Sequence, residues 1–439
     1  MSRVSNLGSI STRQRRIAQL AGEDVERSLS LHHYIDEYWL REAYALTRKD
    51  GAVGVDGQTA EEYAEDLESN LRALLDRFKS GSYRAPPVRR VWIPKGSGSS
   101  RRPIGIPTFE DKVLQRAVCM ALEPIYEQDF LDCSYGFRRG RSAHQALEAL
   151  SGTLARMGGG WVLEVDIANF FEELGFQHLR AFLEHRVRDG VIRRTINKWL
   201  KAGVMEDGKR LDREQGTPQG GVISPLLANL YLHYVLDRWF EEIARPRLRG
   251  RGFLFRFADD ALFAFAEKSD AERVLKALEK RLQRYGLRLH PTKTRLVYFR
   301  KPRHQDKPDR NSRPGSFDFL GFRHYWGRSR KGRWSVKRKT APARMVRALE
   351  GIHQWCRRWR HRKVRWQHQQ LSKKLQGHYA YYGITHNKRA LTRVHLEVER
   401  SWHKWLARRS QRGMSWERFK KLLHRYPLPP PRIVHQYAT

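Results

Sequence analysis

Phe253-Leu254-Phe255-Arg256-Phe257-Ala258-Asp259-Asp260-Ala261-Leu262-Phe263-Ala264-Phe265 is the stretch on which the fold turns. Apolar residues on both sides of an acidic pair predict two strands joined at Ala258-Asp259-Asp260, a β-hairpin with carboxylates at its tip. Upstream, Trp161 to Val165 predicts a buried strand that delivers Asp166 at its C-terminal end. An Asp-Asp pair alone is more often a solvated turn. Two acid sites that each end an apolar strand are not explained that way, because turn aspartates normally have polar neighbours. If the strands are neighbours, the acids converge.

Around this centre the chain of 439 residues is long enough for two to four packed subdomains. Its net charge of +38 points to a polyanionic partner. Gly321 to Thr439 holds 31 Lys and Arg against 4 Glu, so +27 of that charge lies in the last quarter, along with 8 of the 13 tryptophans. Cations interleaved with large π faces suit single-stranded or looped RNA. Some of these tryptophans are expected to be plain helix core. The longest uncharged run, Gly216 to Leu236, contains two prolines, Gln219, Asn229 and His233, so no membrane segment is expected. No apolar stretch follows the early arginines, so no secretory signal is expected, and the protein is placed inside the cell. Cys119, Cys133 and Cys356 lie far apart, which argues against a disulfide framework or a zinc site and predicts reduced, mostly buried thiols.

Residues 1 to 30 are polar and basic without clear periodicity; Leu31, Tyr34, Ile35, Tyr38 and Trp39 then trace one helix face. Val88 to Pro107 predicts two strands around the positively charged loop Lys95 to Ser100. Ser224 as N-cap and Pro225 in the first turn predict a helix start. A short strand is expected at Leu287 to Leu289, and a polar linker at Arg300 to Pro314. Beyond it the pattern is helical: Met345, Leu349, Ile352, Cys356 and Trp359 form one stripe, and Leu371, Leu375, Tyr379 and Tyr382 a second.

Carboxylates on rigid strands suit hard divalent cations. Nucleotide addition needs two such ions about 3.5–4 Å apart, one activating the primer hydroxyl and one holding the triphosphate. Asp166, Asp259 and Asp260 are the obvious suppliers. The surrounding motifs are specific. Asp166-Ile167-Ala168-Asn169-Phe170-Phe171, Gly216-Thr217-Pro218-Gln219-Gly220-Gly221 and Arg256-Phe257-Ala258-Asp259-Asp260 occur in the order of reverse transcriptase motifs. The chain resembles a group II intron reverse transcriptase and maturase. Gly51 to Gly57, Arg102 to Pro107, Ser134 to Arg138 and Gly377 to Gly383 extend the resemblance over nearly the whole chain.

The resemblance implies an α+β right-hand polymerase followed by an all-α thumb or maturase domain. Its divisions would be an N-terminal extension and start of fingers at 1–87, fingers at 88–160, a catalytic palm of antiparallel strands backed by helices at 161–310, and a helical RNA-binding domain at 311–439. It implies that Asp166, Asp259 and the Ile167 carbonyl ligate two Mg2+ ions, with Asp260 completing the acidic cluster. Phe171 matches the steric gate against a ribose 2′-hydroxyl, and Gln219 the turn under the incoming nucleotide. Lys95 and Arg102 match triphosphate-holding groups, with Arg101 an alternative to Arg102 because the loop has an extra residue. Lys293 matches the lysine beside the leaving pyrophosphate, and Phe319 to Phe322 the primer grip.

The implied partners are structured intron RNA, an RNA template with a DNA or RNA primer, target DNA and dNTPs, in the bacterial cytoplasm with nucleoid or ribonucleoprotein association. The implied function is RNA-directed DNA synthesis together with maturase support of splicing and of mobility by target-primed reverse transcription. Two other readings are a splicing factor that uses the polymerase fold as a scaffold, and an intron-less enzyme recruited to defence or repair. The chain departs from the family at Phe257, where tyrosine is usual, and at Glu172, where aspartate is common. A C-terminal endonuclease segment is not recognised, so no endonuclease activity is expected.

Overall fold

The computed structural model describes residues 9–24, 27–94, 101–206, 208–211, 220–302, 315–329 and 331–437. Lys95 and Gln219 lie outside the described residues, as does most of the expected 300–314 linker. The chain divides into two compact units. One comprises Met1–Ser142, Leu163–Phe263 and Ser269–Arg295; the other comprises Ala143–Val162, Ala264–Lys268 and Leu296–Thr439. Together they mix helices and strands.

In the first unit, β1 (Val88–Pro94) and β2 (Arg101–Ile106) pair antiparallel, with Arg102 opposite Ile93, as the sequence predicted. Strand β3 (Trp161–Val165) has its expected bounds. Strands β4 (Val204–Glu206) and β5 (Lys209–Leu211) extend the first hairpin in the order β2-β1-β4-β5, with β4 parallel to β1. The acid-tipped hairpin is β6 (Gly252–Phe257) and β7 (Asp260–Phe265). With β8 (Arg295–Tyr298) it forms the sheet β6-β7-β3-β8, so the second hairpin strand and the strand ending at Asp166 are neighbours.

The longest helix of this unit, Phe109–Asp129, is capped by the Thr108 side chain, which accepts from the Asp111 amide. It is buried on nearly every side, as expected of a helix enclosed by other elements.

Several local expectations are corrected. The N-terminal region contains the helix Ile10–Glu23. Its buried stripe includes Arg13 beside Ile10, Ile17 and Ala21, and the Arg13 guanidinium lies 2.7 Å from Asp36. That charge within the stripe is what hid the periodicity. The apolar face from Leu31 to Trp39 is shared between a 3₁₀ turn, His32–Tyr34, and the helix Glu37–Leu46. The helix Ser224–Leu232 has Ser224 as its first residue and no side-chain cap, with Pro225 in its first turn. Leu287 to Leu289 is not a strand; Leu289 makes one isolated antiparallel bridge to Ile167.

The second unit also departs from the expected pattern. Its post-linker segment begins with β9 (Phe317–Phe319), β10 (Phe322–Arg328) and β11 (Trp334–Thr340), an antiparallel sheet in the order β11-β10-β9. The inward positions include His324, Arg338 and Thr340, so alternation of apolar with polar residues was not visible. Burial pushes the His324 ring down to about 3 and keeps it neutral, stacked on Phe317 at 4.7 Å.

The predicted helices follow as Pro342–Arg358, Val364–Tyr382, Lys388–Ala407 and Trp416–Arg425. Leu371, Leu375, Tyr379, Val398, Trp402 and Phe419 lie in their common core. Cys119 and Cys356 are buried, Cys133 is half-buried, and all three are free thiols. Among the described residues no helix is long and apolar enough to cross a membrane.

Candidate active site

Asp166 follows the last residue of β3, and its backbone is clamped by the chain opposite. The His290 amide donates to the Asp166 carbonyl at 2.7 Å, and the Ala168 amide donates to the Arg288 carbonyl at 2.9 Å. These two bonds flank the Ile167 and Leu289 pair, so the backbone groups of Ile167 point away from that segment. Asn169 takes a left-handed φ of 44°, which turns the chain into the short helix Phe170–Glu173. Phe170 is buried, whereas Phe171 stays half-buried with its edge against Phe170 at 5.3 Å. The second phenylalanine therefore retains an exposed face, unlike a plain core residue.

The β6 to β7 turn has only Ala258 and Asp259 between its strands, and Ala258 adopts φ 57°. A two-residue hairpin turn favours this left-handed geometry. Its close packing requires glycine at 136, where a Cβ would come within 2.3 Å of the Ala258 nitrogen. Burial raises the Asp259 carboxyl above its ordinary range; a backbone hydrogen bond opposes this, the Asp166 charge raises it further, and Arg102 and Arg256 lower it. The two aspartates thus come within electrostatic reach of one another and of Arg102.

Lys293 completes the cluster, with Nζ 3.2 and 3.3 Å from the two Asp166 oxygens. Asp260 opens β7 and is exposed. Among the described residues no three His, Cys, Asp or Glu side chains form a metal-holding group, and the link between Asp166 and Asp259 is the charge of the first acting on the second. Of Arg101 and Arg102, it is Arg102 whose charge is felt at Asp259.

The segment after Gln219 is held from two sides. Gly220 has φ 119°, and a Cβ there would lie 2.6 Å from the Gly105 carbonyl of β2. The Ile223 amide donates to the buried Gln115 Oε1 at 3.3 Å. Gln115 was not singled out from the sequence, because one polar residue on a mostly apolar helix gives no signal of its role.

Residues 93–324, more than half of the chain, match the family described as reverse transcriptase (RNA-dependent DNA polymerase). Protein YkfC of Escherichia coli strain K12 is 34% identical over 364 residues, 74% of this chain and 91% of its own length. The chain belongs to the reverse transcriptase family. This reverse transcriptase is also 36% identical to the group II intron-encoded protein LtrA of Lactococcus lactis subsp. cremoris over 225 residues, 50% of its own length and 36% of LtrA. Nuclear intron maturase 4, mitochondrial, of Arabidopsis thaliana is 24% identical over 238 residues, 53% of this chain and 26% of the maturase. The chain therefore matches about a third of LtrA and a quarter of that maturase.

In this reverse transcriptase the acidic turn stands on Arg256, which the sequence placed in the motif of the two aspartates without a role of its own. Its buried guanidinium donates to the Ala258 carbonyl at 3.0 Å, to Asn229 Oδ1 at 2.9 Å and to Ser134 Oγ at 2.7 Å. Asn229 in turn donates to the Gly136 carbonyl at 2.6 Å. The Ser134 to Arg138 motif thus cradles the acidic turn from beneath. The available signal was an arginine within an otherwise apolar strand, since a buried charge demands partners.

The second unit of this reverse transcriptase carries an aromatic and cationic surface. Trp366 stacks on Trp355 at 5.7 Å and meets the edge of Trp359 at 5.5 Å. Arg362 lies over both Trp359 and Trp366, and Arg358 over Trp359. These tryptophans are half-buried, while Arg358 and Arg362 are exposed. Trp402, by contrast, is wholly buried core.

Proposed function

We propose that this protein copies RNA into DNA with two Mg2+ ions, and that it also binds its own structured intron RNA as a maturase. It would thereby support splicing and intron mobility by target-primed reverse transcription. The carrying observation is that the neighbouring strands β3 and β7 deliver Asp166 and Asp259, so that the charge of the first acts on the second. Such a repulsive arrangement is relieved by a shared cation, and hard oxygen donors in small number suit magnesium, which keeps several waters. Asp166, Asp259 and the Ile167 carbonyl would hold the ions, which supply Lewis-acid stabilisation and a more acidic primer hydroxyl.

The chain's own groups do the rest. Arg102, with Lys95, binds triphosphate oxygens as a charge-assisted donor. Lys293, beside Asp166, neutralises charge on the departing pyrophosphate. Phe171 presents its exposed face to C2′ of the sugar and excludes a hydroxyl. The Gly220 turn, with Gln219, supports the incoming nucleotide. Asp260 completes the acidic surroundings. The right-hand arrangement of fingers, palm and thumb follows from the same reading.

The tryptophan and arginine surface of the second unit supports RNA binding by stacking and charge. The names of LtrA and of the intron maturase support intron RNA as the partner, with target DNA the second substrate of mobility. The protein would act in the bacterial cytoplasm as a ribonucleoprotein associated with the nucleoid.

Asp259→Ala tests the reading. Primer extension on an RNA template with a DNA primer, dNTPs and magnesium should vanish while RNA binding survives; full extension would overturn the metal assignment. The same tryptophan surface favours a second reading, a splicing factor with the polymerase fold as scaffold. That reading requires undiminished extension-independent splicing and no extension by the wild type.

A further inference from the structure

Phe137 is the most exposed large apolar side chain among the described residues, at 62%, and it takes a left-handed φ of 57°. A bulky side chain rarely adopts that conformation, which glycine or asparagine enters at less cost. Neither the strain nor the exposed ring stabilises the fold, and such outliers gather where a side chain is aimed at a ligand.

The chain on both sides of Phe137 is anchored. Gly136 lies against Ala258, and its carbonyl accepts from Asn229 at 2.6 Å. The buried Arg138 guanidinium donates to Glu127 at 3.0 and 3.1 Å and to the Leu131 and Ser134 carbonyls at 2.8 and 2.9 Å. Between these anchors Phe137 carries the turn, and its ring stands out beside Phe257, with centroids 6.4 Å apart. Phe257 is half-buried and follows the wholly buried Arg256 along β6, so it lies on the face opposite the buried layer.

The sheet order β6-β7-β3-β8 places this ring pair relative to the acids. Ser134 bridges Arg256, and the Tyr135 amide donates to the Arg256 carbonyl at 2.8 Å, along the edge of β6 away from β7. Asp166 follows β3, two strands across from β6, and Lys293 pairs with it. The aromatic pair and Lys293 therefore flank the acidic turn from opposite sides.

We propose that Phe137, beside Phe257, seats the terminal nucleotide of the primer. The inference rests on the polymerase reading, in which Lys293 marks the side of the departing pyrophosphate. In-line displacement puts the attacking oxygen opposite the leaving one. The primer end then lies over β6, and the exposed ring takes the apolar face of its sugar and base while the 3′-hydroxyl reaches the acids. An aromatic face suits this contact, because every base offers a π surface and the seat must accept whichever nucleotide was added last.

The test uses the full-length protein on an RNA template with a labelled DNA primer. Phe137→Ala should raise the KM for the primed template about tenfold, the scale of one lost aromatic contact to nucleic acid, and leave the KM for dNTPs unchanged. Phe137→Trp should recover most of the loss. Phe137→Gly, which relieves the left-handed strain, should lose primer affinity equally yet unfold at no lower a urea concentration than the wild type. With 4-benzoylphenylalanine in place of Phe137, irradiation should crosslink the 3′-terminal nucleotide of the primer. An unchanged KM for the primed template in Phe137→Ala, a rise in the dNTP KM alone, or a crosslink confined to the template strand overturns the proposal. So does a lowered urea midpoint of Phe137→Gly with primer affinity kept, which would make the ring a packing residue. Any of these results with wild-type extension intact sinks this inference alone, whereas absence of extension in the wild type sinks the polymerase reading on which it rests.

Discussion

Arg256 and Asp237 are joined by two parallel hydrogen bonds, Nε to Oδ1 at 2.7 Å and Nη2 to Oδ2 at 2.6 Å, with both side chains wholly shielded from solvent. This fork neutralises a charge that would otherwise be stranded beneath the acidic turn, and it leaves Nη1 free to hold the Ala258 carbonyl. The position of Asp259 is therefore set by the buried layer beneath the turn.

Removing one partner of such a pair exposes the other to the full desolvation penalty. Asp237→Ala should cost about 3–5 kcal/mol in stability. Urea unfolding measures it, and a loss within a few tenths of a kcal/mol would show that the fork does not hold the turn.

Gln115 holds, through the Ile223 amide, the segment that in the proposed function would lie beneath the incoming nucleotide. Gln115→Leu leaves that amide without its acceptor, a cost of about 1–3 kcal/mol. The KM for dNTPs should rise more than kcat falls, and Gln115→Glu, which restores an acceptor, should recover part of the loss. Steady-state extension kinetics with an unchanged KM would remove the positioning role.

Asp111 is buried, accepts from the Tyr83 hydroxyl, and is pushed up by burial from 3.8 to about 7. A carboxyl whose folded value is raised contributes most below the unfolded value and loses that contribution as pH climbs through the folded one. Wild-type stability should therefore decline between about pH 4 and pH 7 on this group's account, and Asp111→Asn should flatten the decline. Urea midpoints of the two proteins across that range decide it; parallel curves would contradict the assignment.

On the proposed function Phe171→Ala should admit ribonucleotides, because the half-exposed ring would be the bulk that meets a 2′-hydroxyl. Competition between each dNTP and its rNTP during extension reads the sugar preference directly. An unchanged preference would return Phe171 to a packing role.

The strands that carry acids were legible because their residues are apolar on both faces and bounded by turns. Trp161 to Val165 and the two arms of the 253 to 265 hairpin fall close to their expected ends. The C-terminal helices were legible from stripes such as Leu371, Leu375 and Tyr379. Helix Ile10–Glu23 and the strands from Phe317 to Thr340 were not, because Arg13, His324 and Arg338 occupy inward positions where the pattern expects carbon. Each is tolerated only by a partner remote in sequence or by stacking: Asp36 for Arg13, Phe317 for His324, and the Leu147 carbonyl at 3.2 Å for Arg338.

By itself the sequence determined the identity of the acids, their delivery at strand ends, the helical close of the chain and the concentration of positive charge there, since each depends on neighbours within a few residues. Only the tertiary structure decided that Asp166 and Asp259 act on one another, that Asp260 stays exposed, and that Arg256, Asp237, Asn229 and Gln115 hold the site from below. Those relations join residues tens to more than a hundred positions apart, and buried polar groups choose their partners by proximity in the folded core, where every unmet hydrogen bond carries a cost that no local pattern records.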